Sequence, residues 1–362
     1  MTVNKNARAD IYRTISHFTF RLIILTFVIM KRTLVCLLIL VASTAFSQEV
    51  TEEIRLKQVD EITRTKIQPL VKQLFYSAKS VEKQNEANAQ LLKVVEEAID
   101  LDPNFNYAFD SLQKDIGILI SPDKKFRIVH WNIARADGTF DYFGYIQSWH
   151  TTVVKSGAFK KNRKESIQLF PLTDKSAEIK NPDNAITDNN KWYGALYSKI
   201  IIKKTKTKTY YTLLGWDGND KFSQKKIIEV LTFDANNGTP HFGADIFNYD
   251  KKYPKRVIFE YSATCSMSLR YSTKKDSIVF GHLAPTSPQL NGQFQYYCCD
   301  MSYDGFGFKK GKWNYGTDIN AMNEKSENDK IYGNPKDISE GHSESNVYKD
   351  PRPKKKKKKK TE

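Results

Sequence analysis

Several protein classes are excluded by what the chain has little of. Four cysteines in 362 residues are too few for a disulfide scaffold, and 17 glycines and 12 prolines are too few for a collagen-like repeat. Past the N-terminal region no apolar run reaches the length of a membrane-spanning helix, which argues against a polytopic membrane protein. No His-Glu-x-x-His, Gly-x-Ser-x-Gly, phosphate loop or Cys-x-x-Cys occurs, so the common zinc-hydrolase, nucleophile-elbow, nucleotide and thioredoxin-type signatures are missing. The chain is not disordered throughout, because 40% of its residues are apolar and 12% aromatic.

The first positive signal is an address. Met30-Lys31-Arg32 is a basic start, Leu34 to Val41 is a short apolar run, and Ala45 and Ser47 are small residues placed for a cut before Gln48. This is the three-part pattern of a secretory signal peptide, with residues 1–47 as the signal region and Met30 as the working initiator of an over-long start. The competing reading, a membrane hairpin made with Leu22 to Met30, puts Lys31 and Arg32 into hydrocarbon. Cys36 lies inside the apolar run and cannot become a lipidated N-terminus. The expectation is an exported chain, periplasmic or secreted, with no transmembrane anchor after maturation.

Charge follows the same division. The whole chain carries 57 Lys and Arg against 41 Asp and Glu, net +16. Without residues 1–47 the net charge is +11, and +6 of that sits in Asp350 to Glu362, which includes the seven lysines Lys354 to Lys360. A nucleic-acid binder carries its basic stripe on the folded body, so no nucleic-acid partner is expected. Residues 316–362 read as a disordered basic tail.

Between address and tail the chain changes character once. Residues 48–117 read as helical: Leu56, Val59, Ile67, Leu70, Val71, Leu74 and Phe75 recur at helical spacing, with Pro69 set to split or bend that stretch. A second helix carries Leu91, Leu92, Val94, Val95, Ala98 and Ile99. A third is predicted with Asp102 as cap, Pro103 in the first turn, Gly117 as stop, and Phe105, Phe109, Leu112 and Ile116 on one stripe. The stretch Glu96 to Asn104 is similar to the close of a tetratricopeptide repeat, but one partial copy does not make a stack.

Residues 118–315 hold 33 of the 45 aromatics and all five tryptophans, a composition that favours strands. Strand-like runs recur about every ten residues. Phe126–Ile133 and Thr139–Gln147 flank Asp137-Gly138, a hairpin signal. Further runs are Trp192–Lys203, Thr209–Trp216, Lys226–Phe233, Arg256–Ser262, Ser266–Tyr271, Ser277–His282, Gln293–Tyr297 and Gly305–Phe308. Residues 160–190 are polar and read as a long surface loop. Ser121-Pro122-Asp123 before a strand is similar to a β-propeller blade, without a repeating blade period. The fold class predicted is α+β, mainly β: N-terminal helices followed by a large antiparallel β-sandwich or open barrel.

Chemistry-bearing residues are few. Asp217, Asn219 and Asp220, in Trp216-Asp217-Gly218-Asn219-Asp220, offer oxygens that a calcium ion accepts, but the remaining ligands of a full loop are missing and a tight turn fits better. Asp300 and Asp304 are a possible carboxylate pair, set against a plain turn at Asp304-Gly305. His282 closes an apolar strand, and no two histidines have metal-ligand spacing. Trp149, Trp192, Trp216 and Trp313 suit stacking on sugar rings if exposed, and core packing if not. Of Cys265, Cys298 and Cys299, Cys265 can pair with either neighbour, or all three can stay reduced.

The runs Ser121 to Ile128, Lys191 to Tyr197, Leu213 to Asn219 and Ser302 to Phe306 together resemble an uncharacterised family of exported Bacteroidota proteins over most of residues 90–320. The family pattern has Asp at the place of Gly281 and Gly-Pro at Cys298-Cys299, so the resemblance implies no His–Asp pair at 281–282 and no functional cysteine pair. It implies location and architecture, and no activity.

The expectation is a non-enzymatic envelope or secreted protein that binds a glycan or an envelope protein through its β part. Trp216, Asp217, Asp220, His282, Asp300 and Asp304 are its candidate ligand-binding residues, with no catalytic residue, metal or cofactor assigned. The alternative is a hydrolase using Asp300, Asp304 and His282 in a cleft.

Overall fold

The structure, a computed structural model, describes residues 51–156 and 160–317 together with Met30. The export address before residue 51 and the basic tail beyond residue 317 lie outside the described residues.

Helix α1 covers 51–77 and α2 covers Val81–Asp100. α1 is not split at Pro69; it widens into π turns at Thr63–Ile67 and Gln73–Ser77, either side of the proline-bearing segment. Proline removes one N–H donor and crowds the carbonyl four residues back, and a π turn absorbs that conflict while the helix continues. Ser80 caps α2, its Oγ accepting from Lys83 N.

The predicted third helix does not form. Asp102 is no N-cap: its carboxylate accepts the N–H groups of Asn106 and Tyr107 and pairs with Arg127, 25 residues away. Phe105 and Phe109 take left-handed φ values of 60° and 51°, and only a 3-10 turn at Asp110–Leu112 remains. The apolar stripe is nonetheless buried, since Phe105, Phe109, Leu112 and Ile116 all belong to the core.

Among the described residues fifteen strands follow: β1 (Gly117–Ile120), β2 (Phe126–Ala134), β3 (Phe140–Ser156), β4 (Lys160–Thr173), β5 (Thr187–Asp188), β6 (Leu196–Lys204), β7 (Thr209–Asp217), β8 (Ser223–Phe233), β9 (Pro240–Phe242), β10 (Phe247–Asn248), β11 (Val257–Ser262), β12 (Leu269–Ser272), β13 (Ser277–Pro285), β14 (Tyr297–Lys309) and β15 (Lys312–Gly316). They form three sheets, ordered β1-β2-β3-β4, β5-β9-β8-β7-β6 with β11 also on β8, and β10-β15-β14-β13-β12. Pairing is antiparallel except for the two-residue pair β10–β15. The predicted loop over 160–190 is corrected here: β4 pairs with β3 along its whole length, from Ser156↔Lys160 to Phe143↔Thr173. The backbone of a long strand templates a polar neighbour, and a polar edge strand is a common way to end a sheet. Gln293–Tyr297 is likewise mostly a 3-10 turn, at Phe294–Tyr296.

The layers are stacked helices, first sheet, second sheet, third sheet, as strand alternation dictates. Val129, Trp131 and Ile133 of β2 face the helices, where they meet Leu91, Val95 and Ile99. Phe126 and Ile128 of the same strand face Tyr211, Leu213 and Leu231 of the second sheet. Leu214 and Ile228 turn the other way, onto Phe280, Phe306 and Trp313 of the third. Consecutive antiparallel meanders stacked face to face are also how neighbouring propeller blades meet.

Candidate functional site

The Trp216–Asp220 segment is a turn that joins the first two sheets. Asp217 is buried, and its Oδ1 accepts Tyr142 OH from β3 at 2.9 Å and Asn219 N at 2.8 Å. Burial pushes its carboxyl above the usual carboxylate range, against the pull of Asn219 N–H and Lys225. Asn219 has φ +52°, and a Cβ on Gly218 would stand 2.3 Å from the Phe140 ring, so the turn needs this Asn and this Gly. Asp220 accepts the N–H groups of Phe222 and Ser223 at 2.7 and 2.9 Å. Trp216 stands edge-on to Phe140 and donates to Gln224. These oxygens serve the fold. Among the described residues no three His, Cys, Asp or Glu side chains converge to hold a metal ion.

His282 and Asp304 are brought together by the pairing of β13 with β14, in which Phe280 stands opposite Asp304. Register shifts after Gly281, so that Gly281↔Tyr303 is followed by Leu283↔Cys299, and Asp300, Met301 and Ser302 loop out opposite His282. His282 Nδ1 then lies 2.7 Å from Asp304 Oδ2, which also accepts Tyr315 OH at 2.6 Å. Asp304 is buried and the imidazole is partly exposed. With the carboxylate accepting, the Nδ1–H tautomer is favoured and Nε2 becomes the basic nitrogen. Burial and this carboxylate push Tyr315 up, and burial first, then Asp304, lifts Tyr249 to about 12. Asp300 does not join the pair; its Oδ1 accepts Ser302 N and Oγ, which hold it below the usual range. Gly281 leaves room for Cys299, whose Sγ would stand 2.6 Å from a Cβ at that position. Cys299 is a free thiol, and Cys265 pairs with Cys298.

The tryptophans separate by burial. Trp192 and Trp313 are fully buried, with Nε1 donating to Tyr197 OH and to Thr212 Oγ1. Tyr197 in turn donates to Glu229, which is paired with Arg256 in a sealed network between the sheets. Neither ring is available for stacking. Trp149 lines a cleft.

That cleft, of about 550 Å³, opens between the first and second sheets beside Trp149 and the turns that follow β6 and β8. Tyr211 and Phe233 line it, packed on Phe126 at 4.8 and 5.1 Å between ring centroids. Ser148, Thr209, Thr232 and Lys125 line it too, as does Lys208, whose ammonium rests over the Tyr210 ring on the other face of the second sheet. Ser148 is 2% exposed and its Oγ has no hydrogen-bond partner. The sequence holds no compact signal for this site, because its residues come from five separate segments of strand and turn.

Against known protein families, curated proteins and solved structures, the chain finds no match.

Proposed function

We propose that the chain is a non-enzymatic protein of the cell envelope or secreted space that binds a glycan through its β layers. The cleft between the first two sheets carries this reading. Aromatic rings and hydroxyl-bearing side chains line a cavity of about 550 Å³ held between two packed sheets, which is the make-up of a site for a small polar ligand with an apolar face. The acidic turn at Asp217 and Asp220, by contrast, has its oxygens committed to backbone and Tyr142.

Export is supported by the signal pattern at Met30 to Gln48, by the resemblance to exported Bacteroidota proteins, and by the Cys265–Cys298 disulfide, which suits an oxidising compartment. No described helix is long and apolar enough to cross a membrane. Mass spectrometry of the chain from its own host tests the address: a mature N-terminus at Gln48 is expected. Titration of the purified chain with a panel of mono- and oligosaccharides tests the binding. Absence of any saturable saccharide binding would overturn the reading.

A second reading, a hydrolase, is favoured by one observation, the 2.7 Å approach of His282 to Asp304. It requires turnover of an ester, glycoside or amide substrate that H282A and D304N both abolish. Lack of turnover over such a panel removes it.

A further inference from the structure

We propose that the outer half of the β3–β4 hairpin is a docking ribbon for an acidic polysaccharide. The proposal goes beyond the cleft, and it rests on the reading above only in taking the partner to be a glycan.

The backbone sets this ribbon apart from the sheet it belongs to. β2 pairs with β3 only as far as Phe126↔Ser148, and Lys125 O accepts Trp149 N one residue further on. Beyond that point β3 and the edge strand β4 run on as two strands, in register from Thr151↔Glu165 to Ser156↔Lys160. These six pairs span about 20 Å at about 3.4 Å per residue. Thr151 and Glu165, the first of them, are both exposed. The ribbon rises from the rim of the cleft, which Ser148, Trp149 and Thr151 line.

Charge is concentrated there. Residues 48–349 carry a net charge of +5, and the twelve residues of the ribbon hold +4 of it, from Lys155, Lys160, Lys161, Arg163 and Lys164 against Glu165. Residues 168–173, the part of β4 that borders the full sheet, include no Lys or Arg. The cations are therefore not the guard of an exposed sheet edge. Strand alternation sets Lys155, Lys161 and Arg163 on one face of the ribbon and Lys160 and Lys164 on the other. Lys155 stands directly opposite Lys161, and like charges so paired weaken a ribbon that has only two strands. A polyanion turns that repulsion into attraction.

The placement favours a polymer chain over a surface. A bilayer meets one face of a ribbon at a time, whereas an acidic chain can lie along both. None of the twelve residues is aromatic, and sites for single-stranded nucleic acid stack bases on aromatic rings. The root of the ribbon at the Trp149 cleft lets one glycan chain engage both.

The test is a calorimetric titration of the full chain with polygalacturonate, a linear polyuronate, at about 50 and about 200 mM salt. Dextran, a DNA duplex and vesicles of phosphatidylcholine with phosphatidylglycerol are titrated beside it. K155Q/K161Q/R163Q is expected to bind polygalacturonate about tenfold more weakly at the lower salt, with a shallower salt dependence. K72Q/K79Q/K93Q removes as many exposed cations from the helical layer and should match wild type. The lysines Lys354 to Lys360 are common to all these chains and cancel in the comparison. E165K adds a cation to the ribbon and should tighten binding, which keeps the test decisive if the triple ribbon variant folds poorly. Failure to bind polygalacturonate, equal weakening by the two triple variants, or no tightening in E165K overturns the proposal. Tighter ribbon-dependent binding of DNA or vesicles overturns it in favour of that partner. In each case binding of dextran or of neutral oligosaccharides leaves the glycan reading standing, and failure of neutral and acidic saccharides alike overturns both.

Discussion

Arg127 of β2 and Asp102, two residues past the end of α2, form an ion pair sealed from water. Nη1 lies 2.8 Å from Asp102 Oδ2, and neither side chain is more than 1% exposed. The same guanidinium donates to Ile99 O at 2.8 Å and Asp102 O at 3.0 Å, and Gln147 of β3 reaches Ile99 O as well. A buried cation at the last carbonyls of α2 also meets the negative end of its dipole. The rings of Phe105 and Phe109 cover it at 5.2 and 5.6 Å. This clasp fixes the helical layer to the first sheet.

Removing one partner strands the other charge in a dry site. Asp102→Asn or Arg127→Met is expected to cost about 3–5 kcal/mol in urea unfolding. The double variant should cost much less than the sum of the two. Additive losses would show that the pair is not coupled.

Acid should weaken the chain through His130. This imidazole is fully buried, its Nε2 accepts Tyr197 N at 3.3 Å, and burial lowers its pKa to about 4. The folded state therefore holds it neutral, while the unfolded chain protonates it near its ordinary value. Its contribution is full above about pH 6.5 and is lost as pH falls from there toward 4, by at most about 3 kcal/mol. Urea midpoints between pH 4 and 8 measure this. His130→Gln should flatten that slope, and an unchanged slope in the variant counts against the assignment.

Reduction of Cys265–Cys298 opens a loop of 33 residues. The loss expected from loop-closure entropy is about 3–4 kcal/mol. In thermal melts the reduced wild type and the C265S/C298S variant should agree, both below the oxidised wild type. A variant as stable as the oxidised wild type would remove the bridge from the account.

Calcium should leave the melting temperature unchanged, because the oxygens of the Asp217 turn are already bound to protein donors. Asp217→Ala should itself lower stability by about 1–3 kcal/mol, since Tyr142 OH and Asn219 N lose a buried acceptor. A calcium-dependent rise in melting temperature, absent in the variant, would reinstate a metal site there.

Local patterns were readable in the sequence where a segment's neighbours are its own. The Asp137-Gly138 hairpin forms as its residues dictate, with Gly138 at φ +91°. In β11, Val257, Phe259 and Tyr261 are buried, while Ile258 and Glu260 alternate with them at intermediate exposure. Asp217 and Asp220 likewise belong to a turn encoded within five residues. What was not readable depends on distant partners. Asp102 has the look of a helix cap until Arg127 claims it, and β4 lacks strand composition because β3 supplies its backbone partners. His282 and Asp304 were recognisable by type, but their approach depends on the pairing of β13 with β14, where the register shifts by two residues beside His282. The cleft needed the stacking of two sheets.

The order of strands has a consequence for how the chain comes into being. Each sheet is built almost wholly from consecutive segments, so strand pairing closes over short stretches of chain, which favours rapid local assembly. A chain that appears from its N-terminal side can therefore finish one slab before the next is made, each offering its outer face as the surface on which the following one condenses. The crevice beside Trp149 comes into existence only with the second slab. The Cys265–Cys298 bridge lies wholly in later sequence, so its oxidation cannot trap the earlier layers in a wrong arrangement.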